Sequence, residues 1–427
     1  MTADRSPVRL PFPWVLLLCG LLALAGKFAL SLTTYGSNDV LYWEADLRKI
    51  QTEGPLALYR DGAVPSWEGT PYADAEIFNH PPLMVHVIRA WGTLEAVSGV
   101  PFRAWLRLTS SLADFGMLWL VWQILRTKKI QVRPVMLVLL ALSPVSILVS
   151  GFHGNTDPVM VFFLLLSIYA IETGRPAWVA GVAFGMAINI KIVPVVFAPL
   201  ILLYLGLMRR RLVFTLAAGL VFLAGSMPYL AQDPILLIRS MFGYSPVMGS
   251  WGLPEIAYLL PGNMLSAYRT IGRPLALLLV LAASLWIHRR APHTSLFVRC
   301  GSLAFLFLFV ASGFGPQYLA WLVPWWVVLP WKSARWHYVS ASAFLCLFYT
   351  VWSRGGWYIA NMIENRPMPP GTVPLFFLEM GCWVSVGMVV IAYLRYFTSN
   401  QYLEPVLLSG DGNLGKCLAA VGPTRAV

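Results

Sequence analysis

The feature that most constrains this chain is its near-continuous succession of apolar runs. A transmembrane helix needs about twenty apolar residues, and runs of roughly this kind lie near 12–32, 104–125, 134–151, 157–172, 176–190, 192–208, 212–230, 272–288, 299–313, 317–331, 337–353 and 373–394. With 58% hydrophobic and 12% charged residues over 427 positions, a soluble globular protein is excluded. The pattern predicts an all-α polytopic membrane protein with about twelve transmembrane helices, forming one integral membrane domain over 1–427.

The remaining composition excludes several function classes. The net charge of +12 comes from short basic clusters between apolar runs, which are typical of topology signals, so we expect no nucleic-acid partner. The five cysteines lack metal-type spacing, and we expect neither disulfides nor a metal site. The first run is long for a signal peptide and has no convincing cleavage site, which favours a retained first helix.

Residues 82–97 could either cross the membrane or lie on its surface. The distribution of charge decides between the two, because cytoplasmic loops carry the excess of Lys and Arg. If this segment lies flat as an interfacial amphipathic helix, 18 of the 31 basic residues fall on the side of the N-terminus. If it crossed the membrane, every later cluster would move to the outer face. We therefore place both termini in the cytoplasm, 33–103 outside as a long loop with interfacial helices, and 398–427 as a partly disordered cytoplasmic tail.

Asp39 is the strongest candidate for chemistry. It stands just beyond the first run in Gly36-Ser37-Asn38-Asp39, within an outer loop that holds nine of the nineteen acidic residues. The apolar positions after it suit a helix lying on the membrane. A carboxylate at the mouth of a membrane cavity is a candidate general base. The alternative, that Asn38 or Asp39 only caps this helix, stays open.

Two further motifs carry polar side chains near membrane depth. Asn79 and His80 precede Pro81-Pro82-Leu83, where paired prolines stiffen the entry to the next helix, although a plain turn explains them as well. Arg107 and Asp114 lie about two helical turns apart on one face of a span. Charges inside a membrane are costly, which indicates either a functional role or a structural ion pair with another helix.

Three more segments place polar groups on the outer side. A polar hairpin between two spans holds His153, Asn155 and Asp157, as a site or as a short turn. Lys191 is a lone ammonium that contradicts the positive-inside trend, which suggests an anionic partner such as a phosphate; snorkelling to lipid is the alternative. Later outer segments add polar candidates among aromatic residues that also suit a membrane interface, namely Gln317, Arg354 and Arg366.

In the order of these motifs the chain resembles the GT-C superfamily of polyprenyl-phosphate-sugar-dependent glycosyltransferases. It is most similar to the dolichyl-phosphate-glucose glucosyltransferases of N-glycan assembly and their prokaryotic relatives. The matching elements are Asp39 with its helix, Pro-Pro-Leu at 81–83, Arg107 to Asp114, Gly151-Phe-His153-Gly-Asn155, and Ala-Ile-Asn-x-Lys at 187–191. The resemblance covers residues 12–210 and departs at Asn79, where the eukaryotic enzymes usually have Asp, and in a shorter late outer loop.

This resemblance implies a GT-C-like fold and an inverting transfer of a hexose from a polyprenyl phosphate to a lipid-linked or other hydroxyl acceptor. Asp39 would be the general base, a role worth roughly 10² to 10⁴ in rate. Binding of the donor and its leaving phosphate would fall to His153, Asn155, Lys191, Arg354 and Arg366. Supporting residues would be Asp114, Arg107, Asn79, His80 and Gln317. The scheme implies no metal and no cofactor besides the lipid-linked sugar.

Other function classes stay open. A secondary transporter or lipid flippase also uses intramembrane charges and many spans. The lack of a visible internal repeat and the long acidic first loop, which transport does not need, both count against it. A non-catalytic assembly subunit would not require Asp39. The chain contains no Asn-x-Ser/Thr acceptor, and we favour a bacterial inner membrane over the ER membrane.

Overall fold

A computed structural model describes residues 13–67, 70–71, 74–243, 251–260, 264–352 and 372–398. Within these residues the chain is almost entirely helical, and its one sheet is a two-stranded antiparallel hairpin of β1 (Ser66–Trp67) and β2 (Thr70–Pro71). Two candidate site residues, Arg354 and Arg366, lie outside the described residues, as does all of the proposed tail except Thr398.

The helices of the first half are α1 (Pro13–Thr33), α2 (Asn38–Glu53), α3 (Pro55–Asp61), α4 (Leu83–Ser98), α5 (Phe102–Thr127), α6 (Pro134–Ala141), α7 (Pro144–Ile147), α8 (Asp157–Glu172), α9 (Ala177–Ile190) and α10 (Ala198–Leu205). A π-helix (Leu148–His153) continues α7, and a 3₁₀ helix (Val193–Phe197) leads into α10.

The second half contains α11 (Met208–Leu230), α12 (Pro234–Gly243), α13 (Gly252–Leu259), α14 (Met264–Arg290), α15 (Leu296–Phe309), α16 (Trp331–Trp352) and α17 (Thr372–Thr398). Two 3₁₀ helices, Pro316–Trp321 and Val323–Val328, separate α15 from α16.

The all-α polytopic membrane architecture is confirmed. In the described parts of the chain, six helical segments are long and apolar enough to cross a bilayer: Trp14–Thr33, Phe102–Thr127, Pro134–His153, Met208–Leu230, Thr270–Arg290 and Leu375–Thr398. Other predicted spans form shorter helices, such as α8 with 16 residues and α9 with 14. The total of about twelve spans stays a prediction.

One predicted span is wrong in its local structure. Residues 317–331 form the two 3₁₀ helices and the start of α16 instead of one transmembrane helix. Pro316 and Pro324 each lack a backbone N–H and interrupt a continuous α-helix. Non-helical backbone at membrane depth is tolerated where protein surrounds it, and residues such as Leu322 and Trp325 are almost fully buried.

The helices that position the candidate site pack at close range. On α9, a Cβ added to Gly181 would lie 2.4 Å from the backbone oxygen of Phe214 on α11, and one added to Gly185 would lie 2.8 Å from that of Ala218. Small residues four apart allow helix backbones to approach in a membrane, where van der Waals packing supplies much of the association. Through these contacts α9 is fixed beside α11, and Lys191 follows directly at its C-terminus.

Candidate functional site

Asp39 lies in the first turn of α2, one position inside the helix, and does not cap it. The N-cap is Ser37, whose Oγ accepts a hydrogen bond from the backbone N–H of Asp39 at 3.3 Å. The expectation that Asn38 or Asp39 fills this position is therefore wrong. Because Ser37 satisfies the helix end, the Asp39 carboxylate is free to bond elsewhere.

The carboxylate of Asp39 receives two side chains from the hairpin between α7 and α8. His153 Nε2 lies 3.0 Å from Asp39 Oδ2, and Asn155 Nδ2 donates to the same oxygen at 2.7 Å. In the described parts of the chain, Oδ1 receives no hydrogen bond. A quarter of the Asp39 side chain is exposed, at 25%, so one carboxylate oxygen remains available to a reacting group.

Local backbone geometry brings both hairpin residues to Asp39. The chain before them forms a π-helix ending at His153, a rare element that is frequent at functional sites. Gly154 then turns with φ +85°, and an added Cβ there would lie 2.4 Å from Val40 Cγ2 on α2. Only glycine fits this turn, which points His153 and Asn155 toward the same carboxylate.

The hairpin is also anchored on both sides through its backbone. The carbonyl oxygen of His153 accepts hydrogen bonds from Ser37 Oγ at 2.6 Å and from the Ser37 backbone N–H at 3.1 Å. Ser110 Oγ donates to the carbonyl oxygen of Asn155 at 2.6 Å. These bonds hold the first loop, the hairpin and α5 in one fixed arrangement.

A tyrosine orients the histidine. Tyr349 Oη on α16 lies 2.7 Å from His153 Nδ1, while the other ring nitrogen faces Asp39. Because Nε2 faces a carboxylate, it carries a proton and donates it to Asp39, while Nδ1 accepts the tyrosine hydroxyl when the ring is neutral and donates to it when the ring is charged. The chain Tyr349–His153–Asp39 therefore stabilises the ionised carboxylate.

Electrostatics keep Asp39 ionised. Burial opposes its ionisation, but the charge of His153, hydrogen bonds from His153 and Asn155, and the charge of Lys191 together hold the pKa of Asp39 below its usual value. Asp39 is therefore a carboxylate at neutral pH, which is the form that accepts a proton.

Lys191, just after α9, lies close to this carboxylate and is already paired. Its Nζ donates to Asp157 Oδ1 at 2.9 Å and lies 5.0 Å from the ring centroid of Tyr318 and 5.7 Å from that of Trp321. An ammonium has three donors, and 15% of its side chain is exposed. The anionic partner expected for Lys191 is thus a protein carboxylate in this structure, with donor capacity left over.

Asp157 is fully buried at the start of α8. Its Oδ2 has no hydrogen-bond partner among the described residues, and neither does Thr156 Oγ1 beside it. Its backbone N–H donates to Asn155 Oδ1 at 3.1 Å. Asn155 therefore links the Asp39 carboxylate to the Asp157–Lys191 pair through one amide side chain.

His80, which precedes the Pro-Pro step of the first loop, lies beside Lys191. Its Nδ1 lies 3.0 Å from the carbonyl oxygen of Ile190, next to Lys191, and its ring centroid lies 4.8 Å from that of Trp43. Tyr59 Oη donates to the His80 carbonyl oxygen at 2.9 Å. Asn79 is half-buried in the same loop, and its role stays a prediction.

His80 should give the protein a specific pH dependence. Burial, followed by the nearby charge of Lys191, lowers the pKa of His80 to about 4. Between its unfolded pKa near 6.5 and about 4, only the unfolded chain takes up a proton, so stability falls as pH falls across this window. The loss is roughly 3 kcal/mol at most, and it is complete once the pH is below the folded pKa.

We expect His80→Gln to remove this part of the pH dependence, as measured by thermal unfolding of the purified protein between pH 4 and 7. Asp46, whose pKa burial and Glu76 raise, titrates in both proteins, so the difference between variant and wild type isolates His80. Parallel curves for the two proteins would contradict the assignment.

The two intramembrane charges of α5 lie away from Asp39. Arg107 is fully buried and donates to the carbonyl oxygens of Ser31 and Thr34, each at 2.8 Å, and to Thr34 Oγ1 at 2.9 Å. It therefore satisfies the C-terminal end of α1, which would otherwise leave unpaired carbonyls. Arg107 holds the segment from which the first loop departs.

Asp114 forms the structural ion pair that the sequence left open. Its carboxylate is bonded to Lys27 of α1 and to Ser146 of α7, and Ser150 Oγ lies 3.5 Å from Oδ2. All of these groups are buried. Asp114 thus supports the base of the hairpin and does not contact Asp39.

Gln317 lies half-buried in the 3₁₀ helix Pro316–Trp321, one residue before the Tyr318 ring that faces Lys191. The structure brings together Asp39, His153, Asn155, Lys191 and His80. The sequence placed Asp157 in the same polar hairpin and Tyr318 beside Gln317 without giving either a role. It did not single out Ser37, Trp321 or Tyr349 as site residues. Tyr349 lies in an apolar run of a chain with 14% aromatic residues.

No group of three or more His, Cys, Asp or Glu side chains that could hold a metal ion exists among the residues that the structure describes. The carboxylate of Asp39 is hydrogen-bonded to His153 and Asn155, and Lys191 is hydrogen-bonded to Asp157 nearby. A carboxylate and an ammonium held in this way are suited to acid–base and electrostatic work.

Comparisons with known proteins give two partial similarities. Residues 60–241 match the family described as GPI transamidase subunit PIG-U, which is less than half of the chain. A crystal structure of ArnT from Cupriavidus metallidurans bound to undecaprenyl phosphate is similar at a TM-score of 0.44 and 15% identity, covering 89% of this chain and 77% of that one. No curated protein matches the chain. Both similarities are too partial to assign the chain to a family.

Proposed function

We propose that the protein is a membrane glycosyltransferase of GT-C type that moves a hexose from a polyprenyl phosphate to a hydroxyl acceptor. The observation that carries this proposal is the ionised Asp39 carboxylate, which the described residues bond through Oδ2 alone and whose side chain is 25% exposed. In the proposed reaction Asp39 removes the acceptor proton while the hydroxyl oxygen attacks the anomeric carbon. The bond from that carbon to the phosphate oxygen breaks, and the polyprenyl phosphate leaves with the electron pair.

The leaving phosphate needs positive charge, and Lys191 supplies it in the proposal. Its ammonium is close enough to Asp39 to act on the pKa of that carboxylate. Fixed cationic donors at a developing anion stabilise a transition state more strongly where water is excluded. Tyr318 and Trp321 flank the same ammonium, and aromatic faces of this kind suit the apolar face of a sugar ring.

The side chains beside Lys191 are apolar. Leu164 of α8, Phe197 before α10, Phe307 of α15 and Trp321 surround a cavity of about 10 Å³, and Trp321 also faces the ammonium. A cavity of this size holds no more than a water molecule. In the proposal the lipid chain therefore lies outside it, where burial of its apolar surface is worth about 25 cal/mol per Å².

Lys191→Gln should weaken binding of a polyprenyl phosphate by roughly 10- to 100-fold, because one charge-assisted hydrogen bond is worth about 1.5–3 kcal/mol. The single variant also leaves Asp157 buried without its partner. The double variant Lys191→Gln with Asp157→Asn removes both charges and separates binding from folding. Lys49→Gln, on the outer loop and paired with Glu53, is the matched control. Equal affinity in the double variant and wild type would exclude Lys191 as a phosphate contact.

The proposed activity is tested by incubating purified full-length protein with short-chain polyprenyl phosphates carrying glucose, mannose or arabinose, with and without acceptors. Released polyprenyl phosphate and glycosylated acceptor should appear in equal amounts for at least one donor. A transporter or flippase would move a labelled donor across a vesicle membrane without releasing polyprenyl phosphate. Release from no donor, with or without acceptors, would reject the enzyme proposal.

A second candidate is a non-catalytic subunit of a membrane assembly, which the match to the GPI transamidase subunit PIG-U favours. A non-catalytic subunit needs no general base, and the matched residues, 60–241, begin after Asp39. It predicts that Asp39→Asn leaves function intact. It also predicts that the purified protein alone releases no polyprenyl phosphate from any donor.

A further inference from the structure

A second polar cluster lies at the other end of α8 from the candidate site. From Asp157 at its start to Glu172 at its end, α8 rises roughly 22 Å at 1.5 Å per residue. The end of α10, the start of α11, the end of α14 and the start of α15 meet there. Arg299 of α15 lies 5.0 Å over the Tyr204 ring of α10 and donates through Nε to the carbonyl oxygen of Thr294 at 2.8 Å.

Three buried nitrogens in this cluster have no hydrogen-bond partner among the described residues. They are Arg299 Nη2, Arg211 Nε of α11 and His288 Nδ1 of α14. Arg299 is 1% exposed, so its guanidinium is not solvated by bulk water. The charges of Arg299, Arg211 and Arg289 all act on the His288 ring, which places these groups in one locality.

The nearby carboxylate, that of Glu172, already accepts hydrogen bonds from three other groups. Glu172 accepts from Lys128 Nζ at 2.8 Å, from Tyr204 Oη at 3.2 Å and from the Phe297 backbone N–H at 3.1 Å. It makes no ion pair with Arg299 within the described structure. The buried donors of Arg299 and Arg211 therefore point to an acceptor that is not part of the described protein, because leaving them unpaired costs free energy.

The tendency of basic residues to lie on the cytoplasmic side does not by itself explain why Arg299 is buried. A signal of that kind requires only charge near the membrane surface, which the exposed Arg209 and Arg290 supply. Arg299 is instead buried and held in a fixed orientation by a carbonyl oxygen and an aromatic ring. Preorganised guanidinium donors of this kind match an oxyanion with several acceptor oxygens, and phosphate fits this description best.

We propose that Arg211, His288 and Arg299 form a binding site for a phosphate group at the end of the helices opposite Asp39. The surface beside the site is apolar: Leu212 of α11 is 55% exposed and Leu285 of α14 is 41% exposed. A lipid phosphate headgroup whose acyl chains lie along α11 and α14 uses both the donors and this apolar surface. A free phosphate would use the donors alone, so both sources share the same chemistry.

The test uses the full-length protein in phosphatidylcholine nanodiscs. Retained phosphatidylglycerol is measured by native mass spectrometry after reconstitution with a minor fraction of that lipid, and inorganic phosphate is titrated separately by thermal shift. Arg211→Gln removes an unpartnered guanidinium donor and His288→Gln removes an unpartnered ring nitrogen. Arg209→Gln and Arg290→Gln are matched controls on exposed neighbours. Arg299→Gln is left out because Arg299 also holds Thr294.

We expect wild type and both controls to retain phosphatidylglycerol, and the two test variants to bind it about tenfold more weakly. Binding of inorganic phosphate with the same dependence on Arg211, without enrichment of phosphatidylglycerol, supports the site and identifies a soluble phosphate as its ligand. Equal losses in test and control variants would indicate general charge attraction and overturn the proposal. Failure of wild type to bind either phosphate source would overturn it as well.

Discussion

Replacing Asp39 by asparagine should lower the turnover of sugar transfer by roughly 10²- to 10⁴-fold, the contribution of a positioned general base. Asparagine keeps the shape of the side chain and can still accept hydrogen bonds from His153 and Asn155. It cannot accept the acceptor's proton. We therefore expect turnover to collapse while the protein expresses, folds and binds polyprenyl phosphate normally, as measured by steady-state kinetics and a parallel binding assay.

The control for this variant is Asp61→Asn, an exposed carboxylate of the same loop that, within the described residues, is paired with its neighbour Arg60 alone. It should retain full activity. In wild type the pKa of Asp39 is lowered, so the base stays ionised at neutral pH and activity should fall only in acid, below the usual range for an aspartate. Full transfer activity in Asp39→Asn would remove Asp39 from the mechanism.

Breaking the ion pair between Lys27 and Asp114 should cost about 3–5 kcal/mol of stability, because the remaining charge is buried without a partner. In Asp114→Leu, the Lys27 ammonium keeps only its hydrogen bond to Ser146 Oγ, at 2.8 Å, while Lys27 is 3% exposed. The free energy of unfolding, measured by denaturation of the purified protein in micelles, should fall by that amount.

The paired variant Lys27→Met with Asp114→Leu removes both charges and should recover most of this loss, since a buried ion pair is often replaceable by apolar side chains of similar volume. Glu53→Ala, which breaks the partly exposed pair with Lys49 on α2, is the control and should cost less than about 1 kcal/mol. If the paired variant is as unstable as Asp114→Leu alone, the ion pair is not the source of the effect.

Sequence reasoning located the candidate site because polar residues are conspicuous in a chain of this hydropathy. Asp39, the hairpin residues His153 and Asn155, and Lys191 come from three separate places along the chain. The last three meet at Asp39 through direct bonds or charge. Lys191 and Asp157 are 34 residues apart in the sequence. No local pattern shows whether Lys191 pairs with a distant carboxylate of the protein or stays free to bind a phosphate.

The missed features have different physical reasons. Ser37, Asn38 and Asp39 are all favourable N-cap residues, and their sequence alone does not decide which one adopts the extended backbone that Ser37 has. Tyr349 reaches His153 from 196 residues away, a contact that depends on tertiary packing. The pairing of Lys27 with Asp114, across 87 residues, depends on it in the same way.

Composition alone predicts a transmembrane helix at residues 317–331, where the structure has two 3₁₀ helices. A buried irregular segment and a transmembrane helix are both apolar, so hydropathy does not separate them. Its two prolines were the available signal against a continuous helix. The placement of α4 flat on the membrane rests on charge and stays a prediction, whereas its existence as a 16-residue helix is confirmed.

The most direct measurement of the central claim is the release of polyprenyl phosphate by wild type and by Asp39→Asn, assayed side by side with one panel of sugar donors in identical nanodiscs. The proposed mechanism predicts release by wild type from at least one donor, matched by glycosylated acceptor, and a loss of roughly 10²-fold or more in the variant. Equal release by the two proteins would contradict the role of Asp39. No release by either would contradict the proposed activity itself.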